Sequence, residues 1–282
     1  MQKMANIENI VGKYINLSVE DTDYRIYFEE AGEGIPLLCL HTAGADSRQF
    51  RHLLNDQDLA KKYRILAFDL PYHGRSNPPA NWWESKYELT SDFYVKVVRS
   101  FWDALEIKKP VVTGCSMGGA IVLRIAYDYQ EEVRGIIGLE TTGRGHGREN
   151  SFLYHPAVHG GELVATYTYG LNSPNSPEEN KRENWWYYAQ SGPGVYAGDV
   201  YFYCNEHDAF PHLEKIDTNK CKVALLAGEY DYSATPEETE KVHKAIKGSW
   251  FKNMRGMGHF PMVENYPDFR PYFIEALSHV SG

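Results

Sequence analysis

Along this chain, short aliphatic or β-branched runs alternate with longer stretches of helical character. Lys13 to Glu20 and Tyr24 to Glu30 read as an antiparallel opening pair, joined by the polar turn Asp21-Thr22-Asp23. Pro36 to His41 and Arg64 to Asp69 are near-continuous apolar runs, the pattern of strands buried on both faces. A helix from about Ser47 to Lys62 is expected between them. A loop with Pro71, Gly74, Pro78 and Pro79 leads to a helix from about Ser91 to Leu105. The run Pro110 to Thr113 then predicts a buried strand, Ala120 to Ala126 an apolar helix, and Val133 to Glu140 a sixth strand.

The alternation stops at Thr141. From there to about Lys220 the chain is rich in Tyr, Trp, His, Gly and Pro, with no long β-branched run. It resumes with Val223 to Gly228, a helix from about Pro236 to Ile246, a short strand near Trp250-Phe251-Lys252 and a terminal helix from about Tyr266 to Val280. Strands alternating with helices at this spacing make βαβ crossovers. The expected fold class is therefore α/β, with a mostly parallel, doubly wound sheet. Residues 1–140 and 221–282 are read as its core domain, and 141–220 as a cap (lid) inserted after the sixth strand. Open α/β sheets place their ligands at that carboxyl edge.

The chemistry centres on Gly114-Cys115-Ser116-Met117-Gly118, a G-x-S-x-G spacing between a predicted strand and a predicted helix. A nucleophile at the apex of so tight a turn needs small residues two positions either side. A serine hydroxyl is a poor nucleophile until a base takes its proton, and that base needs an acid to fix its tautomer. His259 is the expected base, because Gly256-Met257-Gly258-His259 is a small-residue loop that lets an imidazole reach inward. Asp231, after the Val223 strand, is the expected acid, with Glu140 as its rival. Oxyanion stabilisation needs two preorganised N–H groups. Met117 and Ala43, the latter in the loop after His41, are the expected donors.

Bulk properties narrow the partners. A net charge of −9 argues against a nucleic-acid backbone or an anionic membrane. No stretch reaches the ~20 apolar residues of a membrane span or shows a signal-peptide core. Cys39, Cys115, Cys204 and Cys221 lack disulfide-framework or metal spacing. His155, His159, His207 and His212 likewise suggest no metal site. The expectation is a cytoplasmic, cofactor-free protein acting on a small molecule, with oligomeric state open and a homodimer allowed.

Taken together, these residues resemble the α/β-hydrolase superfamily over nearly the whole chain. Asp69-Leu70-Pro71-Tyr72-His73-Gly74-Arg75-Ser76 looks like that family's D-x-P-G-x-G-x-S segment, which implies a loop-fixing role for His73 and Ser76. Two departures stand out. His41-Thr42 replaces the usual H-G, so Thr42 could offer a hydroxyl, as in plant hydroxynitrile lyases; Phe260 stands where those enzymes carry lysine. Cys115 stands where the otherwise similar meta-cleavage-product hydrolases have asparagine. A serine rather than an aspartate at 116 implies acyl transfer to water, not dehalogenase or epoxide chemistry.

The reading is therefore a serine hydrolase cleaving a small apolar or aromatic carboxylic ester or lactone. One alternative is hydrolysis of a C–C bond in a ketone-activated substrate; the other is a ligand-binding receptor that keeps the triad. Thr42, Trp185, Trp186, Tyr187 and Phe260 are the expected substrate-binding residues; Arg144 and Arg148 are in reach of a substrate carboxylate but are read first as solvated surface arginines.

Overall fold

A computed structural model describes residues 7–145, 147, 150–155 and 157–282. Eight strands form one sheet: β1 (Val11–Val19), β2 (Thr22–Ala31), β3 (Ile35–Leu40), β4 (Tyr63–Phe68), β5 (Val111–Cys115), β6 (Gly135–Leu139), β7 (Lys222–Gly228) and β8 (Trp250–Met254). Their spatial order is β1-β2-β4-β3-β5-β6-β7-β8. Pairing is antiparallel from β1 through β2 to β4 and parallel across the rest.

The period-two rule explains how one strand feeds two cores. Leu38 and Leu40 face the layer that holds Val112, Tyr94 and Phe101, whereas Leu37 and Cys39 face Val111, Phe269 and Phe273. Helices cover both faces: α1 (Arg51–Leu54), α2 (Ser91–Ala104) and α3 (Met117–Asp128), then, after an insertion, α8 (Pro236–Ala245), α9 (Pro261–Glu264) and α10 (Tyr266–Ser281). Helix α2 starts where Thr90 accepts the Phe93 amide at 3.2 Å, and it buries Tyr94, Val97, Val98 and Phe101 as one stripe.

Two local expectations are corrected. The opening hairpin turns at Glu20-Asp21, both in the left-handed region, and pairs Val19 with Thr22. The long helix expected over 47–62 is only a 3₁₀ turn, Ser47–Phe50, followed by the four residues of α1. Asp56 ends it. Its carboxylate accepts the amides of Asp58 and Leu59, both at 3.1 Å, and so offers the backbone an alternative to helical bonding.

Between β6 and β7 the described chain is helical, with α4 (Gly160–Tyr169), α5 (Glu178–Ala189), α6 (Val195–Tyr201), a π-helical turn Phe202–Glu206 and α7 (Phe210–Leu213). A buried cluster ties this insertion to the sheet's carboxyl edge. Val164, Ala165, Leu171, Tyr187 and Tyr188 pack with Ala45, Phe260 and Val263.

Candidate active site

Ser116 sits between β5 and α3 with φ 55 and ψ −108, a strained backbone for a non-glycine residue. The flanking glycines are required by contact. A Cβ on Gly114 would lie 2.4 Å from the Gly118 carbonyl, and one on Gly118 would lie 2.3 Å from the Leu40 carbonyl oxygen. The turn is thus wedged against β3, and Ser116 is held at the end of the sheet. Met117 opens α3, so its N–H has no intrahelical acceptor.

His259 lies in the loop after β8, with its Nδ1 2.6 Å from Asp231 Oδ2. The other Asp231 oxygen accepts the amides of Ser233 and Ala234 at 2.7 and 3.1 Å. Burial would raise this carboxyl, but His259 and the hydrogen bonds around it hold it below the usual range. Asp231, not Glu140, is therefore the carboxylate joined to the imidazole. Glu140, at φ 50, grips the Gly228 amide with both oxygens, at 3.0 and 2.9 Å. Burial and then the Asp231 charge push its pKa well up, which makes it the poorer of the two acids as an anionic partner for His259.

A further carboxyl, Glu264, was not singled out from sequence. It accepts the amides of Ser173, at 2.8 Å, and of Gly258, which fixes the turn before His259. Burial pushes Glu264 up to about 7. Cys115 is buried, its thiol is pushed well up by burial, and its Sγ points to the His259 carbonyl at 3.2 Å. That environment suits an inert thiol.

The loop after β3 has its amides almost fully assigned. Thr42 donates to Gln49 Oε1 at 3.1 Å, Gly44 to Asp199 Oδ2 at 2.7 Å, and Ala45 to the Thr42 carbonyl at 3.3 Å. Among the described residues, the Ala43 amide has no acceptor. Its neighbour Gly44, at φ +72, is covered by the Tyr196 ring.

The insertion supplies the roof. Tyr203, from the π-helical turn, puts its hydroxyl 2.8 Å from Ser116 Oγ. Among the described hydrogen bonds, Ser116 Oγ is joined to Tyr203 rather than to His259. Tyr188 meets the Thr42 hydroxyl, which also donates to Gln49 Oε1 at 3.0 Å, so that hydroxyl is engaged in the protein's own network. Phe260 is fully buried and packs edge-on against both His259 and Tyr188, at 4.8 and 5.6 Å between ring centroids.

The aromatic residues expected to line a pocket are redistributed. Trp186 is 56% exposed and leaves the candidate pocket. Tyr187 is held by Glu183 and lies under the Arg48 guanidinium, and Trp185 packs at the edge of the insertion cluster. Aromatic density alone does not say which ring of this run turns inward; Tyr188, buried and meeting Thr42, is the one that does. Arg144 is exposed and pairs with Asp208 at 3.6 Å, and Arg148 lies outside the described residues.

A cavity of about 380 Å³ lies between the insertion helices, lined by Leu153, Leu163, Val164, Tyr167 and Tyr196 among others. Tyr196 lines it and also lies against Gly44. A larger cleft of about 490 Å³, behind α3, includes Arg124, Tyr127 and His212 but neither Ser116 nor His259, and its size alone gives it no chemistry. Among the described residues no group of three or more His, Cys or carboxylate side chains is placed to hold a metal ion. None of the described helices is long and apolar enough to cross a membrane.

A family model described as "alpha/beta hydrolase fold" matches residues 35–266. Among curated proteins, 2-hydroxymuconate semialdehyde hydrolase of Pseudomonas sp. (strain CF600) is 25% identical over 225 residues, which cover 78% of this chain and 72% of that protein. A 2-hydroxy-6-oxo-6-phenylhexa-2,4-dienoate hydrolase of Comamonas testosteroni is 29% identical over 143 residues, about half of each chain. Among solved structures, a thermophilic esterase from Thermogutta terrifontis superposes with a TM-score of 0.84 at 20% identity, covering 96% of this chain and 100% of that one. The enol-lactonase from Burkholderia xenovorans LB400 gives 0.80 at 18% identity, covering 94% and 100%.

Proposed function

Because this chain belongs to the alpha/beta-hydrolase fold family and is an enzyme of that type, we propose that it is a serine hydrolase of small apolar or aromatic carboxylic esters or lactones. The observation that carries the reading is the 2.6 Å Asp231–His259 bond in the same site as a serine held on a strained elbow. In this mechanism substrate entry turns Ser116 Oγ from Tyr203 to His259; catalytic hydrogen bonds are often formed only in the substrate complex. His259 takes the proton as Ser116 attacks the carbonyl, and Asp231 stabilises the imidazolium through Nδ1–H. The oxyanion accepts from the Met117 and Ala43 amides, each worth about 3–4 kcal/mol in systems where such a donor is removed. His259 then protonates the leaving group, and water repeats the sequence to release the acid.

The insertion acts as a cap in this reading, with Tyr188, Phe260 and Tyr203 giving the pocket an aromatic wall. A second reading, hydrolytic C–C cleavage, is favoured by the curated relatives, whose names describe hydrolases of semialdehyde and dienoate compounds. The same nucleophile and base serve both. Turnover of p-nitrophenyl and alkyl esters, lactones and a vinylogous diketone acid separates them. Esters or lactones are expected to be turned over faster; a faster diketone acid reverses the assignment. Ser116→Ala is expected to lower kcat about a millionfold, the scale for a lost serine nucleophile. Unchanged turnover in that variant would overturn the mechanism.

A further inference from the structure

Asp199 is a fully buried carboxylate on α6 that the proposed reaction does not use. Its Oδ2 accepts the Gly44 amide at 2.7 Å and faces His73 Nε2 at 2.8 Å, while Oδ1 accepts the Tyr87 hydroxyl at 3.0 Å. His73 is as buried as its partner, and its Nδ1 lies 2.9 Å from the Pro71 carbonyl. A carbonyl can only accept, so Nδ1 carries a proton; the carboxylate calls for a second on Nε2. The ring is therefore an imidazolium. Burial alone would lower its pKa, but the Asp199 charge and hydrogen bond outweigh that and raise it.

His41, whose ring stands 4.8 Å from His73, is the opposite case. Its Nδ1 meets the Thr42 carbonyl at 2.8 Å, and its Nε2 accepts the Leu70 amide at 3.1 Å, so it is neutral. Burial, and then the His73 charge, pull it down to about 4. Asp69 and Asp46 also act on the two rings, and burial and then the Asp199 charge hold Tyr87 and Tyr94 well above their usual range.

We infer that Asp199 is a positioning residue for the proposed oxyanion site, and that His73 supplies the counter-charge that makes it tolerable there. Gln49 holds the Thr42 amide and Asp199 holds the Gly44 amide, and the Ala43 N–H between them is left free to meet substrate. Gly44 is one peptide unit from Ala43, about 3.8 Å between Cα atoms. An uncompensated carboxylate so close opposes negative charge developing on substrate, and the His73 proton cancels it. The inference rests on the serine-hydrolase reading, which gives the Ala43 amide its task.

The test is steady-state turnover of p-nitrophenyl butyrate by D199A, D199N, H73Q and H73Q/D199N, with folding checked by circular dichroism. D199A is expected to lower kcat about ten- to hundredfold, less than outright loss of an oxyanion donor, with KM within about twofold. Asn still accepts from Gly44, so D199N should recover most of that loss. H73Q leaves the carboxylate uncompensated and is expected to cost about tenfold or more. The double variant should then be faster than H73Q alone. Unchanged kcat in D199A, or losses that multiply in the double variant, would overturn the inference. If D199A fails to fold, the comparison of H73Q with H73Q/D199N carries the test. If Ser116→Ala keeps full turnover, the hydrolase reading fails instead. The clamp is then read by NMR, as a downfield Gly44 amide proton that moves upfield in D199N and a doubly protonated His73 ring. Absence of both signatures overturns it independently of turnover.

Discussion

Two acids stand at the end of neighbouring strands, and their environments divide the work. Asp231 is stabilised as an anion by two backbone amides and His259, whereas burial and then the Asp231 charge push the Glu140 pKa well up. Asp231→Asn is therefore expected to lower kcat about 10⁴-fold, by stranding the histidine in the wrong tautomer. Glu140→Gln keeps a donor to Asp231 and an acceptor for Gly228, so it should cost less than about tenfold. Steady-state kinetics on both variants check this, and the reverse ranking would reassign the acid. Ser116, His259 and Asp231 were legible because small residues, strand ends and chain order each constrain where a polar side chain can reach. Glu264 was not, since its task is to accept two loop amides and no spacing announces that. Tyr203 was legible only as one of the insertion's many aromatic residues, because its direction depends on a π-helical turn, which shifts side chains off the usual 3.6-residue register.

At the scale of elements, the parallel strands were readable as aliphatic runs and the capped α2 as a periodic one. Helix α5 was not, because Glu178 to Glu183 are polar throughout and the aromatic residues crowd its second half. The early end of α1 was hidden for another reason. Asp56 is held by Arg270 and by Tyr266, the latter at 2.7 Å, more than 200 residues further along the chain. The elbow is where element packing is tightest. Gly118→Ala drives a methyl group into the Leu40 carbonyl, so α3 must move off β3. A loss of about 1–3 kcal/mol in stability is expected, with kcat falling as Ser116 is displaced. Urea denaturation and kinetics on the same sample check both, and a variant with unaltered midpoint and rate would mean the turn is less constrained than its contacts indicate.

For the molecule as a whole, buried acids set the pH response. Burial pushes Glu264 up to about 7; burial and then the Asp46 charge do the same for Asp69. Between about pH 4, the unfolded carboxyl range, and about pH 7, the native state holds protons that the unfolded chain has released. These acids therefore lower stability as pH rises through that window, while His41, held at about 4 by burial, works against them between about pH 4 and 6.5. His73 adds to the slope of the acids, because its raised folded value means its contribution is present at low pH and lost as pH rises through it. In the other direction, Arg270 and Tyr266 hold Asp56 at about 2 despite its burial, and that contribution disappears as pH falls from about 4 towards 2. The urea midpoint is expected to be higher at pH 5.5 than at pH 8, with Glu264→Gln reducing the difference. A midpoint that rises with pH would contradict this account.

The chain leaves the sheet after β6 and returns at β7, two adjacent strands, so a graft of the segment between them needs only two neighbouring junctions. The Asp199–Gly44 and Asp199–His73 contacts set a condition on such a graft. A foreign roof lacking that carboxylate leaves a buried cation below it and a slack loop beside the serine. Roof and floor therefore have to be inherited together, and shuffling that ignores the pair should yield folded but sluggish chimeras.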